Sequence, residues 1–429
     1  MAFLGMRGTG DWATNQRPKN WREMILYLYP NGSAPLTAIL SMLSSEKTDD
    51  PTYNWWTKTL PEQADDAQNS GVYTDPNLST AYSGDNYSAG SIVYFNLSAS
   101  GASEFREGHE VLLRKDGDYR YDTVGKVTNV ATQGTSSYLA IKLLEDTSAT
   151  YDLEDVDRVM VIGNLNAEGA TIPDSIAYDP VQHYNKTQIF RTPLSITRTA
   201  RKTRLRTGDS YDEAKREALE LHAIEIEKAF MYGIMSENTG KNGKPERTTA
   251  GLIRSIADNE PDNVDAYHLN TSYSGKTWLQ GGEDWLNNQL EVIFRYGDTE
   301  KLAFCGSKAL LAIQDLAKLT GDIQLQTGQT DYGLRVVEWI TPFGTLYLKT
   351  HPLFSKEATD RNTMVIFEPR KLGTRYIDDT FFVEDPEDRV NRNNSRDGTE
   401  EEYISELGLE YHHTPAFGTL YGVGKTNSV

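Results

Sequence analysis

From Ser210 to Tyr232 the apolar positions Leu219, Ala223, Ile226 and Phe230 recur at spacings of four and three, the period of a helix that buries one face. Ser210 and Glu213 stand ahead of that run as the two halves of a capping box, and Glu217, Glu220, Glu225 and Lys228 occupy the opposite side. The pattern predicts one long helix with an acidic outer face. The same period, carried by Trp285, Leu286, Leu290, Ile293 and Phe294, predicts a helix over Asp284 to Tyr296, and a further one is expected over Ser307 to Lys318. A short amphipathic helix is expected from Ala34 to Leu43, with Leu36, Ile39, Leu40 and Leu43 on one side, within an otherwise loop-like stretch that ends near Asp50.

Elsewhere the chain reads as strands. Between Ser91 and Gly163 the segments SIVYFNL, HEVLLRK, YRYDTVGKVTNV, SYLAIKLLE and RVMVIGN are separated by turn signals such as KDGD and TQGTSS, which predicts a small all-β module, a barrel or a sandwich. Strands follow at TQIFRTPLSITRTA and KLAFC, and LRVVEWITPFGTLYLKT reads as a hairpin turning at Pro342 to Gly344. TMVIFEP, TRYIDDTFFVED and EEYISELGLEYHHTPAFGTLYGV are strand-like, interrupted by the polar loop Asp385 to Glu402. The fold class is therefore α+β: one long helix, a few shorter ones, and strands drawn from distant parts of the chain. Trp55 and Trp56 stand side by side in the strand TYNWWTKTL, and alternation along a strand sends the two rings to opposite faces. The polar stretch behind them, Gln63 to Gly90, buries little, so this region reads as a projecting arm whose aromatic faces need a cover.

Composition narrows the class. With 38% hydrophobic residues, 24 Tyr, 13 Phe and 7 Trp, the chain has the material for a folded core, and its length suits two or three domains. Cys305 is the single cysteine, which excludes an intrachain disulfide and a thiolate metal cluster. No apolar run is long enough for a membrane span, and the N-terminal stretch lacks the apolar core of a signal peptide, so a protein kept in the cytoplasm is expected. The net charge of -19 argues against general affinity for nucleic acid, since such binding depends on Lys and Arg displacing counterions from phosphates.

The candidates for chemistry fail on spacing. GVGKT, Gly422 to Thr426, resembles the end of a phosphate-binding loop, but Thr419 stands where the first glycine belongs and no helix can follow; a frayed tail is expected. His412 and His413 are adjacent, the wrong geometry for two ligands of one metal on a strand. The acidic loop before Glu402 lacks the alternation of a calcium loop, and Cys305 has no neighbouring base. No catalytic residue, metal ligand or cofactor site is expected. Arg198, Arg201, Lys202, Arg204 and Arg206 form instead a basic strip directly before the acidic helix. Such charge segregation suits contact between subunits.

The succession PLTAILSMLSS, YNWWTKTLPE, TQIFRTPLSITRTARKT, YDEAKREALELHAIEIEKAFMYG and TTAGLI resembles the major capsid proteins of tailed double-stranded DNA bacteriophages, and in particular the short-tailed branch with a β-insertion before the long helix. That resemblance implies the Hong Kong ninety-seven type of capsid fold. It places an N-terminal arm at residues 1–50, an extended loop at 51–90 and 164–190, an inserted β-module at 91–163, a peripheral domain at 191–250 and 354–429 with its spine helix at 210–232, and an axial domain at 251–353. It implies assembly with copies of itself into hexamers and pentamers, a portal protein at one vertex, scaffold and decoration proteins as further partners, and packaged double-stranded DNA without specific binding. No membrane is involved, and the setting is the virion capsid, assembled in the host cytoplasm. Trp55 and Trp56 would then be covered by the next subunit, and the basic strip would face acidic groups of an adjacent copy, with Glu62, Asp65, Asp66 and the spine-helix carboxylates as candidates. Lys58 is a candidate for covalent crosslinking, with no partner in sight. Two rivals stand beside this reading: a nanocompartment shell protein of the same fold, and a carbohydrate-binding protein, which would usually carry a secretion signal.

Overall fold

The computed structural model describes residues 34–43, 45–58, 61–69, 71–83, 87–115, 123–147, 153, 156–203, 210–320, 324–331, 334–384 and 398–429. Arg204, Arg206, most of the polar loop before Glu402 and the side chain of Ser210 lie outside them. The chain divides into two compact units, one formed by residues up to Trp55 together with Gln182–Val429, the other by Trp56–Val181.

Two layers make up the first unit. The long helix runs Ser210–Tyr232 as expected and packs on a four-stranded sheet in the order Ser45–Lys47, Leu372–Val383, Gly398–Tyr411, Gln188–Thr197. The two long central strands, Leu372–Val383 and Gly398–Tyr411, are antiparallel neighbours, while Ser45–Lys47 adds to the edge in parallel. The strand expected to continue through Ala200 stops at Thr197, because the Thr197 hydroxyl accepts the Ala200 N–H and starts the short helix Arg198–Lys202. Strand Gly398–Tyr411 also begins inside the stretch expected to be loop.

The second layer is a mixed seven-stranded sheet in the order Val264–Ala266, Gly418–Tyr421, Met364–Phe367, Glu300–Cys305, Gly344–Thr350, Leu334–Thr341, Gln324–Asp331. The hairpin expected at Pro342 to Gly344 is present, with Thr341 opposite Gly344. Helices Trp278–Phe294 and Ser307–Thr320 cover it around Trp285, Leu290, Ile313 and Leu316. The former starts earlier than its apolar period suggests, because Thr277 and Gln280 cap it reciprocally. One domain boundary is corrected here. Met364–Phe367 and Gly418–Tyr421, expected with the peripheral domain at 354–429, lie in this sheet, the former between Glu300–Cys305 and Gly418–Tyr421, the latter between Met364–Phe367 and Val264–Ala266. The C-terminal tail is ordered where fraying was expected: Val423 is buried, the Asn427 amide donates to the Tyr267 and Asn270 carbonyls, and Ser428 N–H donates to the His268 carbonyl.

The second unit is a seven-stranded antiparallel sheet, Ala64–Asp66, Arg158–Asn164, His109–Arg114, Thr123–Ala131, Tyr138–Leu143, Ile92–Asn96, Val72–Tyr73, with its own core around Val93, Phe95, Val111, Leu139 and Ile141. All five expected strands are found. The module does not begin at residue 91, however, because Ala64–Asp66 and Val72–Tyr73 pair into the same sheet. Among the described residues no helix is long and apolar enough to cross a membrane.

Candidate functional site

The short helix Pro35–Met42 starts with Pro at its first position, where the missing N–H is no loss, and it buries Leu36, Ile39 and Leu40 completely. Its next two amides need an acceptor. Glu227, fully buried on the long helix, supplies it. Oε1 accepts Leu36 N–H at 2.8 Å, while Oε2 accepts Thr37 N–H and the Thr37 hydroxyl, each at 2.7 Å. A carboxylate at a helix N-terminus also opposes the positive end of the helix dipole. His351 completes the clasp. Its Nδ1 accepts Leu353 N–H at 3.2 Å, so the ring proton sits on Nε2 and donates to Glu227 Oε1 at 2.8 Å. The Phe304 and Phe354 rings pack against this imidazole, their centroids 5.0 and 4.8 Å away. One carboxylate thus fastens the N-terminal segment, the long helix and the chain after Thr350 together.

A second polar knot joins the long helix to the four-stranded sheet. His222 is buried, with Nδ1 2.9 Å from the Thr192 hydroxyl and Nε2 2.6 Å from the Ser405 hydroxyl, which in turn donates to Thr380. Burial holds its pKa below the ordinary histidine range, with the nearby Glu225 carboxylate opposing that shift. Of the expected inward positions Ile226 and Phe230 are buried and Ala223 is half-buried, while Leu219 is 43% exposed; Ala218, His222, Glu227 and Met231 are buried beside them. Leu221 and Ile234 are exposed as well.

A third buried pair lies in the mixed sheet. Lys301 Nζ donates to Glu368 Oε1 at 2.6 Å and to the carbonyls of Tyr296 and Ala416, each at 2.9 Å. Asp298 N–H donates to the same carboxylate oxygen. Burial lowers the Lys301 pKa, and the Glu368 carboxylate acts against that. All of its ammonium donors are engaged by these acceptors, so the pair holds the fold together and offers no nucleophile.

The two tryptophans part company. Trp55 is 5% exposed and enclosed by its own chain: Tyr53 and His183 stack on it, and Tyr411 and His412 meet it edge-on. A role between subunits was expected of both rings; Trp55 is enclosed within its own chain, whereas Trp56 is 61% exposed. Of the basic strip, Arg198, Arg201 and Lys202 are exposed on the short helix, and Arg201 lies over the Tyr211 ring at 4.7 Å. Tyr211 in turn donates to Glu401 at 2.6 Å, so part of the strip's charge is engaged within the chain. Arg158 takes up Glu62 and Asp66, two of the carboxylates proposed to face it. Glu227, His351, Lys301 and Glu368 were missed in the sequence, where each is one charged residue among many.

The other candidates settle into structural places. Cys305 is buried, its thiol pKa pushed well up by burial. His412 meets Glu410 at 3.0 Å, and His413 turns the chain in a left-handed conformation before Thr414. Gly422 and Gly424 have positive φ and close a turn with no helix behind it. No cluster of His, Cys, Asp or Glu among the described residues is suited to a metal ion.

Residues 7–424 match the family described as SU10 major capsid protein. The major capsid protein of Pseudomonas phage PaMx41 is 26% identical over 362 residues, covering 84% of this chain and 79% of that one. Among solved structures, the fold is similar to that of Microbacterium phage Oxtober96, with 10% identity, TM-score 0.43, and 96% and 98% of the two chains covered. Similar too are the capsid of Myoviridae Phage XM1, with 10% identity, TM-score 0.42, and coverage of 94% and 96%, and the SrpI encapsulin of Synechococcus elongatus PCC 7942, with 12% identity, TM-score 0.38, and coverage of 57% and 76%.

Proposed function

The chain belongs to the SU10 major capsid protein family, and on that premise we propose that its copies close as hexamers and pentamers into an icosahedral head around double-stranded DNA. It is a structural component of the phage capsid and not an enzyme, with an α+β fold of the Hong Kong ninety-seven type. The family match over residues 7–424 carries the conclusion.

Several features support the finer reading. A ring built head to tail needs two different, complementary patches on each copy, and the candidates for them are exposed Trp56, the cations Arg198, Arg201 and Lys202, and the exposed Glu217 of the long helix. Exposed ion pairs contribute only ~0–1 kcal/mol each, so they would direct register more than strength. The acidic composition suits a wall that must not adhere to packaged phosphate. The Trp56–Val181 unit is proposed as an extended loop carrying a β-insertion, as in the short-tailed branch, and a portal, scaffold and decoration proteins as the further partners. The decisive experiment is negative-stain electron microscopy of the purified protein at high concentration, alone and with the products of neighbouring genes. Closed shells or rings of five and six are expected. Dispersed monomers under both conditions would remove the assembly reading.

A further inference from the structure

The second unit holds a cavity of about 570 Å³, within the ~300–1,000 Å³ typical of sites for small molecules. Its walls come from strand Arg158–Asn164, from the turn between Arg106 and His109 that opens strand His109–Arg114, from the segment 173–178, and from Gln63. Two contacts fix that segment in place: Arg106 Nη1 donates to the Asp174 carbonyl at 3.2 Å, and Gln63 Nε2 donates to the Tyr178 hydroxyl at 3.2 Å. Gln63 itself is held at a φ of +51°, with its carbonyl accepting Val161 N–H at 2.9 Å. A residue with a side chain is strained there, and such strain gathers where side chains are aimed at a ligand.

The chemistry of the walls selects the ligand. Arg106 and Asp174 are the charged residues of the lining, and their charges cancel. His109 adds none, since its Nε2 accepts Arg106 Nε–H at 3.0 Å, and burial together with that guanidinium holds its pKa below the ordinary histidine range. The carboxylate in the wall weighs against a phosphate, sulfate or carboxylate ligand, because like charges brought together are costly. Among the described residues, Arg106 Nη2 and Asn164 Nδ2 meet no acceptor, and Gln63 Oε1 and the Asp174 carboxylate meet no donor; Asn164 Oδ1 is taken by Asn166 at 2.8 Å. Beside these groups stands Ile162, 47% exposed. A hydroxyl both donates and accepts, so neighbouring hydroxyls on one ring can satisfy such a mixture, while the C–H groups of the ring pack on the isoleucine. We propose that this cavity binds an uncharged saccharide, with its hydroxyls shared among Arg106, Asp174, Gln63 and Asn164 and its C–H face on Ile162. The site lies wholly within the Trp56–Val181 unit and does not depend on how copies assemble.

Binding of the full chain to an array of immobilised neutral oligosaccharides built from glucose, galactose, mannose and N-acetylglucosamine tests it, with sialylated and sulfated oligosaccharides on the same array. Retention on neutral oligosaccharides, in preference to the charged ones, is expected. Asp174→Ala and Asn164→Ala change exposed side chains, so both variants should keep the urea midpoint of the wild type. Asp174→Ala should bind the retained oligosaccharide about tenfold more weakly, the loss of a hydrogen bond to a charged group, and Asn164→Ala severalfold more weakly. Retention on no oligosaccharide, a preference for the charged ones, or equal affinity in the wild type and Asp174→Ala would each overturn the site, and each would leave the capsid assignment standing.

Discussion

Glu227 Oε1 accepts a hydrogen bond from His351 Nε2 at 2.8 Å, between two fully buried side chains 124 residues apart. The same carboxylate holds the amides of Leu36 and Thr37, so it is the point at which the N-terminal segment is fastened to the body of the subunit. Replacing it with alanine strands buried donors, each costing about 1–3 kcal/mol when unpaired. Glu227→Ala is expected to lose roughly 2–4 kcal/mol of stability and to free residues 34–47 for cleavage under native conditions. Urea unfolding and timed proteolysis would check this; an unchanged cleavage pattern would show that the apolar contacts of Leu36, Ile39 and Leu40 hold the segment alone.

Trp55 and Trp56 should respond oppositely to truncation. Trp55→Ala removes a ring enclosed by Tyr53, His183, Tyr411 and His412 and should cost about 3–5 kcal/mol. Trp56→Ala should leave the melting temperature of the isolated subunit unchanged and lower the yield of shells. Equal loss of stability in both variants would contradict the separation.

Lys301 and Glu368 form a pair whose worth lies in its completeness. Lys301→Ala removes three buried hydrogen bonds and leaves the Glu368 carboxylate with Lys371, 2.7 Å from its Oε2, as its remaining cation, for which about 1–3 kcal/mol of destabilisation is expected. Replacing both together, as Lys301→Met with Glu368→Leu, should recover most of that loss. Denaturant midpoints of the single and double variants decide the matter, and a double variant as unstable as the single would mean that the carbonyl contacts at Tyr296 and Ala416 dominate.

Acid should weaken the isolated subunit through its histidines. Burial holds His222 below the ordinary histidine range, and His109, His183, His268 and His413 are lowered in the same direction with burial as the main cause. As pH falls below ~6.5 the unfolded chain takes up these protons first. Stability is therefore fully present above that range and declines below it, by at most ~1.4 kcal/mol per pH unit for each group. His222→Gln should lessen the drop in urea midpoint between pH 7.5 and pH 5.5. An identical drop in that variant would assign the effect to the other four.

The cations Arg198 and Arg201 are proposed to set register between copies. Arg198→Glu combined with Arg201→Glu should yield soluble subunits, since both positions are exposed, but few closed shells by electron microscopy. Normal shells would show that the charge serves only contacts such as that of Arg201 with Tyr211.

The sequence by itself determined the α+β class, the bounds of the long helix and the five strands expected in the β-module. These follow from local periodicity, caps and turns, which act over a few residues and survive in the order of letters. Only the tertiary structure decided that Leu219 of the long helix stays exposed while His222 and Glu227 are buried, because each polar group found buried partners from distant strands and segments. The tertiary structure also sent Met364–Phe367 and Gly418–Tyr421 to the mixed sheet, and enclosed Trp55 while leaving Trp56 in water. Strand pairing and burial depend on residues hundreds of positions apart, and alternation along a strand says that two neighbours face opposite ways without saying which way is in.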